Sequence, residues 1–200
     1  MLPLFPLPNV VLFPKAFLPL HVFEHRYRAM VRDVLHGDRR IGMVVLRPGW
    51  QAAAVPPVYA TGCAGTIVQH EELPDGRYNI VLRGTRKFSV RTERLTRPYR
   101  EAEVDWMDEV AAGADVRRLR ELRHRLDALL FPVVARGEAR VPSGIADDEL
   151  VNAVSQGLDI DIVEKLALLE KPDVVTRALV LIERLERLWL ERDRPGGPTH

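Results

Sequence analysis

The apolar pattern of this 200-residue chain changes its period once, near residue 108, and that single change limits the architectures open to it. Before that point, apolar residues come in short β-branched runs bounded by Pro or Gly. Residues 10–13, 17–20, 41–46 and 65–68 read as strands on this pattern. After it they recur at spacings of three and four. Leu119, Leu122, Leu126, Leu129 and Val133 make one amphipathic stripe with Arg and Asp on its wet side. Ser143 is placed to cap a helix carrying Leu150, Val151 and Val154 that Gly157 closes. Asp159 is placed to cap a short helix holding Ile162, Val163, Leu166 and Leu169, which Pro172 ends. Asp173 opens the last, with Val175, Leu179, Ile182, Leu185, Leu188 and Trp189 on one stripe. The expected fold class is α+β. A barrel of strands fills residues 1–107 and a four-helix bundle fills 108–194, with the boundary in the small and acidic stretch 108–114. Arg194-Pro195-Gly196-Gly197 leads into a flexible tail, 195–200.

Within the first half, prolines 3, 6, 8, 14 and 19 each remove a ladder donor, which favours short edge strands and a small, irregular barrel. Leu73-Pro74-Asp75-Gly76-Arg77 is a turn signal that joins residues 65–72 to 78–82 as a hairpin. The one helix expected here covers residues 23–35. Phe23, Tyr27, Met30, Val31, Val34 and Leu35 recur at helical spacing and Gly37 stops them, so the helix should lay its apolar stripe on the barrel.

Bulk properties exclude several classes. The 46% of hydrophobic residues can build a core, and a net charge of +1 gives no global field to steer nucleic acid or anionic lipid. No apolar run approaches the roughly 20 residues a membrane helix needs. The N-terminus has no basic region ahead of its apolar residues and too many prolines for a signal peptide. A single cysteine, Cys63, rules out an intrachain disulfide and a four-cysteine zinc site. These features describe a soluble, cytoplasmic protein without a membrane or cofactor signature.

Candidate chemistry is sparse. His21-Val22-Phe23-Glu24-His25 spells H-x-x-E-H, a zinc-hydrolase pattern that needs both histidines on one face of a continuous helix. Pro19 lies two residues upstream and the segment reads as a strand entering a helix, so no metal site is expected. Glu24 then sits near the helix start, where the dipole favours a carboxylate. Arg83, Arg86, Lys87, Arg91, Arg94, Arg97 and Arg100 form a basic stretch, yet alternation along a strand splits such charges between two faces. Phe88 and Tyr99 are too few to suggest base stacking. Trp50 lies in a long loop, 47–57, where an exposed aromatic can serve as a contact site or fold back over the barrel. Cys63 reads as a packed apolar residue.

Three blocks, in order, resemble the Lon N-terminal, substrate-binding domain family. The first is Leu2-Pro3-Leu4-Phe5-Pro6-Leu7 with Val11-Leu12-Phe13-Pro14, Leu18-Pro19-Leu20, Phe23-Glu24 and Arg26-Tyr27. The second is Gly62-Cys63-Ala64-Gly65-Thr66-Ile67 with Asp75-Gly76-Arg77 and Gly84-Thr85-Arg86-Lys87-Phe88. The third is Ala146-Asp147, Leu158, Lys165, Leu168-Leu169-Glu170 and Asp173 to Arg177. The resemblance implies a PUA-like β-pseudobarrel with one packed helix, followed by the bundle.

The chain contains no phosphate-cradling Gly-x-x-x-x-Gly-Lys-Ser/Thr loop, as the Lon motor would need. Its three serines, Ser89, Ser143 and Ser155, lie in a strand pattern, a cap and a helix, away from any activating base. The expectation is a non-catalytic module that binds unfolded or partner polypeptides, with Phe23, Trp50 and Arg86 as candidates to line its groove. Self-association is a further property that the resemblance implies. The alternative is an RNA-binding PUA-like protein.

Overall fold

The computed structural model describes residues 1–109, 116–137, 141 and 144–192. Six strands and one helix come first: β1 (Leu2–Leu7), β2 (Phe17–Val22), α1 (His25–Leu35), β3 (Arg40–Leu46), β4 (Val58–Glu72), β5 (Tyr78–Arg94) and β6 (Arg100–Met107). Four helices follow: α2 (Val116–Ala135), α3 (Asp147–Gly157), α4 (Ile162–Leu169) and α5 (Val174–Arg192). The order across the sheet is β2-β5-β4-β3-β1-β6, and β6 returns to pair with β5, which closes a barrel. The α+β class is as expected.

Closure depends on the length of β5. Along one edge it first takes β2, with Tyr78–Arg83 opposite Val22–Phe17, and then β6, opposite Lys87–Arg94. Between the two, the chain ahead of β2 enters the ladder: Lys15 N–H donates to the Gly84 carbonyl at 2.8 Å and Gly84 N–H to that of Ala16 at 2.9 Å. A Cβ at Gly84 would lie 2.0 Å from the Phe13 carbonyl oxygen, so only glycine permits this approach. Register shifts in β4 and β5 supply the bends that closure requires.

Two expectations for this half are corrected. Residues 10–13 form no strand; they run as irregular chain that buries Val11, Leu12 and Phe13 in succession. Alternation could not show this, because a loop that plunges into the core buries consecutive side chains. The prolines do not confine β1 to an edge either. Residues 2–4 pair antiparallel with β6 and residues 4–7 pair parallel with β3, so the strand changes neighbour at Leu4. Pro3 and Pro6 each have a neighbour on one side only, which leaves room for a missing donor. Pro19 does lie on an edge, in β2. The hairpin through 73–77 is as expected, with Gly76 in the left-handed region (φ 75°).

Strand β3 is buried on both faces from Ile41 to Leu46, which accounts for its unbroken apolar run. One face fills the barrel. Leu2, Leu4, Val44, Ala64, Phe88 and Ala102 form a small cluster there. Phe88 fits because Gly42 and Gly62 present no side chain to it. The other face packs against α1 through Tyr27, Met30, Val31 and Val34, and the same apolar cluster runs without a break into Leu122, Leu126, Val151, Leu169 and Ile182 of the helices. Phe23 lies outside α1 and is exposed, because α1 begins at His25 after an extended Glu24 cap.

In the helical half, Ser143 lies outside the described residues, as do most of the expected boundary (110–114) and the tail (195–200). Helix α3 opens at Asp147 with Ala146 at its cap and three acidic residues in its first turn. Helix α4 is capped by Asp161, whose Oδ1 accepts from Val163 N–H at 2.8 Å, and not by Asp159. A side chain two residues before the amide it caps reaches it, whereas Asp159 sits two residues too early. Asp173 caps α5, accepting from Thr176 N–H at 2.7 Å. On α5 the buried stripe is Val174, Val175, Ala178, Leu181, Ile182 and Leu185, while Leu179 faces solvent.

Candidate functional site

The loop before β2 forms the joint between barrel and helices, and Gln156 of α3 fastens it. Its Oε1 accepts from Phe13 N–H at 3.1 Å and its Nε2 donates to the Phe17 carbonyl at 2.7 Å. One amide thus holds both ends of the turn that leads into β2. Alternation in β2 points Leu18, Leu20 and Val22 inward and leaves Phe17, Pro19 and His21 outward. Phe17 is 58% exposed as a result.

A groove of about 490 Å³ opens between this joint and the helices. Its barrel wall is Val10, Val11, Ala16, Phe17 and Leu18; its helical wall is Ile145, Ala153 and Gly157, with Asn9 and Gln156 at the seam. A Cβ at Gly157 would meet nothing within 4 Å, so the floor there is open. Lys165 of α4 supplies the only charge among these lining residues. Its ammonium donates to the Gln156 carbonyl at 2.9 Å and makes no ion pair among the described residues. Burial pushes its pKa below the ordinary lysine value, with Asp159 opposing. The groove can therefore take apolar side chains against its walls and an anionic group beside Lys165.

A second joint lies behind a cleft lined by Lys15, Arg86, Lys87, Asp108 and Glu109. Arg177 of α5 is wholly buried, and its guanidinium donates to Asn152 Oδ1 at 2.7 Å, to the Leu168 carbonyl at 3.0 Å, to the Leu169 carbonyl at 3.3 Å and to Glu109. It also lies over the Phe13 ring, 5.6 Å from its centroid. Lys87 of β5 is 2% exposed; its ammonium donates to the Lys171 carbonyl at 2.5 Å and sits 3.2 Å from Glu109. Burial lowers the Lys87 pKa, and Arg177 adds to that while Glu109 resists it. Two cations thus share one carboxylate where strand, loop and helices meet. The other charges lining the cleft are paired, Lys15 with Asp148 and Arg86 with Asp108.

The sequence model of the ATP-dependent protease La (LON) substrate-binding domain matches residues 1–187. The chain belongs to that family. Lon protease 2 of Myxococcus xanthus is 28% identical over 193 residues, covering 93% of this chain and 23% of that protein. The Lon protease of Dictyoglomus thermophilum is 27% identical over 186 residues, covering 88% of this chain and 23% of its own length. The chain spans about a quarter of the length of these curated relatives. Among solved structures, the N terminal domain of Mycobacterium avium complex Lon protease superposes with a TM-score of 0.70 at 18% identity, covering 92% of this chain and 97% of that one. The Lon N-terminal domain protein from Xanthomonas campestris gives 0.57 at 26% identity, covering 98% of each.

Within this Lon-type fold, the three residues singled out from sequence have separate surroundings. Phe23 is exposed beside His21, with ring centroids 6.3 Å apart. Arg86 pairs with Asp108 and lies over the Trp106 ring. Trp50 is half-buried in a single 3₁₀ turn, Trp50–Ala52, of the β3–β4 loop. None of them is among the lining residues of the groove. His21 lies at the end of β2 and His25 at the start of α1, and both ring nitrogens of His21 are engaged, Nδ1 by Asn79 and Nε2 by Arg77. All seven basic residues between Arg83 and Arg100 have a carboxylate within ion-pair distance. Sequence reasoning missed Phe17, Ala153, Gln156 and Lys165. The signal for Phe17 was available: a large apolar residue in phase with Pro19 on a proline-blunted strand. Nothing local could have joined Gln156 to a loop some 140 residues away. Among the described residues, no helix is long and apolar enough to cross a membrane, and no group of three or more His, Cys, Asp or Glu is arranged to hold a metal ion.

Proposed function

We propose that the chain is a non-catalytic recognition module that holds extended, unfolded polypeptide segments in the groove between Phe17 and Ala153. The observation that carries this is the exposed Phe17, set on one wall of an apolar groove whose opposite wall is helical. Its family, named for substrate binding, supports the same reading. Apolar walls supply the affinity, and the small methyl of Ala153 with the bare Gly157 leaves space for the side chains of a client. Ser155 donates its hydroxyl to the Val151 carbonyl in the buried interior and Ser89 lies within β5, which supports a role without covalent chemistry. The paired basic residues of β5 and β6 favour polypeptide over RNA, since each already has its counter-charge. We place this role in the cytoplasm, as an adaptor that delivers or shields unfolded clients.

The test is fluorescence anisotropy with a labelled, permanently unfolded protein such as reduced carboxymethylated α-lactalbumin. Burying Phe fully is worth roughly 1.5–3 kcal/mol, and the exposed 58% of Phe17 scales that to about 1–1.7 kcal/mol. Phe17→Ala should therefore weaken binding roughly 5- to 20-fold. Ala153→Trp, at an exposed helical position, should fill the groove and abolish binding without lowering the melting temperature. Wild-type affinity retained in both variants would place the binding surface elsewhere.

A further inference from the structure

Lys165 gives the groove a polarity that an apolar grip alone does not need. Every other cation named at the joints has a carboxylate in direct contact: Lys15 has Asp148, Arg83 has Glu149, and Lys87 and Arg177 share Glu109. Lys165 differs. It stands on the groove wall, half-buried, and holds only a backbone carbonyl. An ammonium has three donors, so two remain for a ligand. A partly desolvated cation with no direct ion pair is a poor solution for a surface that merely has to stay folded, because one carbonyl and the more distant Asp159 offset only part of the lost hydration.

We infer that the groove is built for the carboxyl-terminal end of an apolar polypeptide, with the terminal carboxylate on Lys165 and the last side chains between Phe17 and Ala153. This rests on the polypeptide-binding reading above and deepens it. A terminal carboxylate suits the place for a geometric reason. It follows directly on the last Cα, so charge and apolar side chain arrive within a few ångströms of each other, as Lys165 and the bare floor at Gly157 do. An internal apolar segment would offer Lys165 only neutral backbone carbonyls, like the one of Gln156 it already holds, whereas a chain end brings a full negative charge. Burial disfavours the Lys165 ammonium and Asp159 offsets this only in part, so a carboxylate bound directly to it would complete the compensation.

The test uses two fluorescein-labelled ten-residue peptides ending in Leu-Ala-Leu-Phe, one with a free carboxylate and one amidated, titrated with wild type, Lys165→Met, Lys165→Arg and Ala153→Trp. Wild type should bind the acid about 3- to 10-fold more tightly than the amide, the range of a charge-assisted, half-exposed contact. Lys165→Met should erase that preference, Lys165→Arg should keep it, and Ala153→Trp should bind neither peptide. Equal affinity of wild type for the two peptides, or a preference that survives Lys165→Met, overturns the carboxylate assignment and leaves the groove intact as a polypeptide site. Failure of wild type to bind either peptide overturns both. Circular dichroism melts of the Lys165 variants separate lost recognition from lost folding, and the Arg variant decides the matter if the Met variant melts early.

Discussion

Replacing Arg177 by methionine removes the buried charge at the centre of the second joint while keeping an unbranched side chain of considerable length. In the native protein the guanidinium serves four acceptors: Glu109, Asn152 and the carbonyls of Leu168 and Leu169. The two carbonyls sit at the end of α4, beyond the regular helical ladder; that of Leu168 also takes a long bond from Lys171 N–H at 3.3 Å. Methionine leaves the Asn152 oxygen and both carbonyls without that donor. Glu109 keeps Lys87 at 3.2 Å, so the carboxylate is not stranded. Breaking a buried pair by removing one partner costs roughly 3–5 kcal/mol, and the surviving Lys87–Glu109 contact argues for the lower end, about 3 kcal/mol. For a chain of this size each kcal/mol lowers the melting temperature by roughly 2–4 °C, so the variant should melt about 6–12 °C early. Urea unfolding followed by circular dichroism gives the free energy directly. A loss below about 1 kcal/mol would refute the reasoning, since it would mean that water or a rearranged loop satisfies those acceptors as well as Arg177 does.

Other consequences are open to simpler measurements. Asp173→Ala should cost about 1–2 kcal/mol at pH 7 by uncapping α5. Burial alone would raise the Asp173 pKa, but the Thr176 N–H and hydroxyl and the Val175 N–H, with Arg177 nearby, hold it below the ordinary value. A depressed folded pKa contributes stability that is present above the unfolded value and lost as pH falls through the folded one, so the gap between wild type and variant should narrow below about pH 4. Urea melts at pH 7 and pH 3 that show the same gap would contradict this. Cys63 is buried, and burial pushes its thiol up to about 12, so a disulfide reagent at pH 8 should fail to label the native protein and label it fully in denaturant. Rapid native labelling would show that β4 opens locally. Gly84→Ala drives a methyl group onto the Phe13 carbonyl and should destabilise by about 3 kcal/mol, read as a lowered urea midpoint.

Much of the architecture was legible in the sequence because it is written in local periods. The shift from alternation to helical spacing separated strands from helices, and Asp75-Gly76 announced the β4–β5 turn. What local reading missed was decided by neighbours distant in the chain. Residues 10–13 look like a strand, yet Phe13 N–H bonds to the Gln156 side chain and the ladder at Gly84 is taken by Lys15 and Ala16, so they fold as a buried loop. Pro3 and Pro6 argue against an interior strand until β1 is seen to change neighbour between them. Leu179 belongs to an apolar series by spacing, but the stripe on α5 is set by where α2 and α3 lie against it. The groove was the least legible feature, because Phe17 and Ala153 stand on opposite walls more than a hundred residues apart. Lys165 was visible within the family's motif as a residue, while its lack of a direct ion pair among the described residues belongs to the fold.

The central claim is that a client polypeptide lies between β2 and α3, and amide chemical-shift mapping tests it most directly. Titrating the isotope-labelled chain with an unlabelled apolar peptide should move the resonances of Val10, Phe17, Leu18, Ala153 and Gly157 together, with one common dissociation constant. Shifts confined to the Arg83–Arg100 face, or to the surroundings of Phe23 and Trp50, would contradict the account.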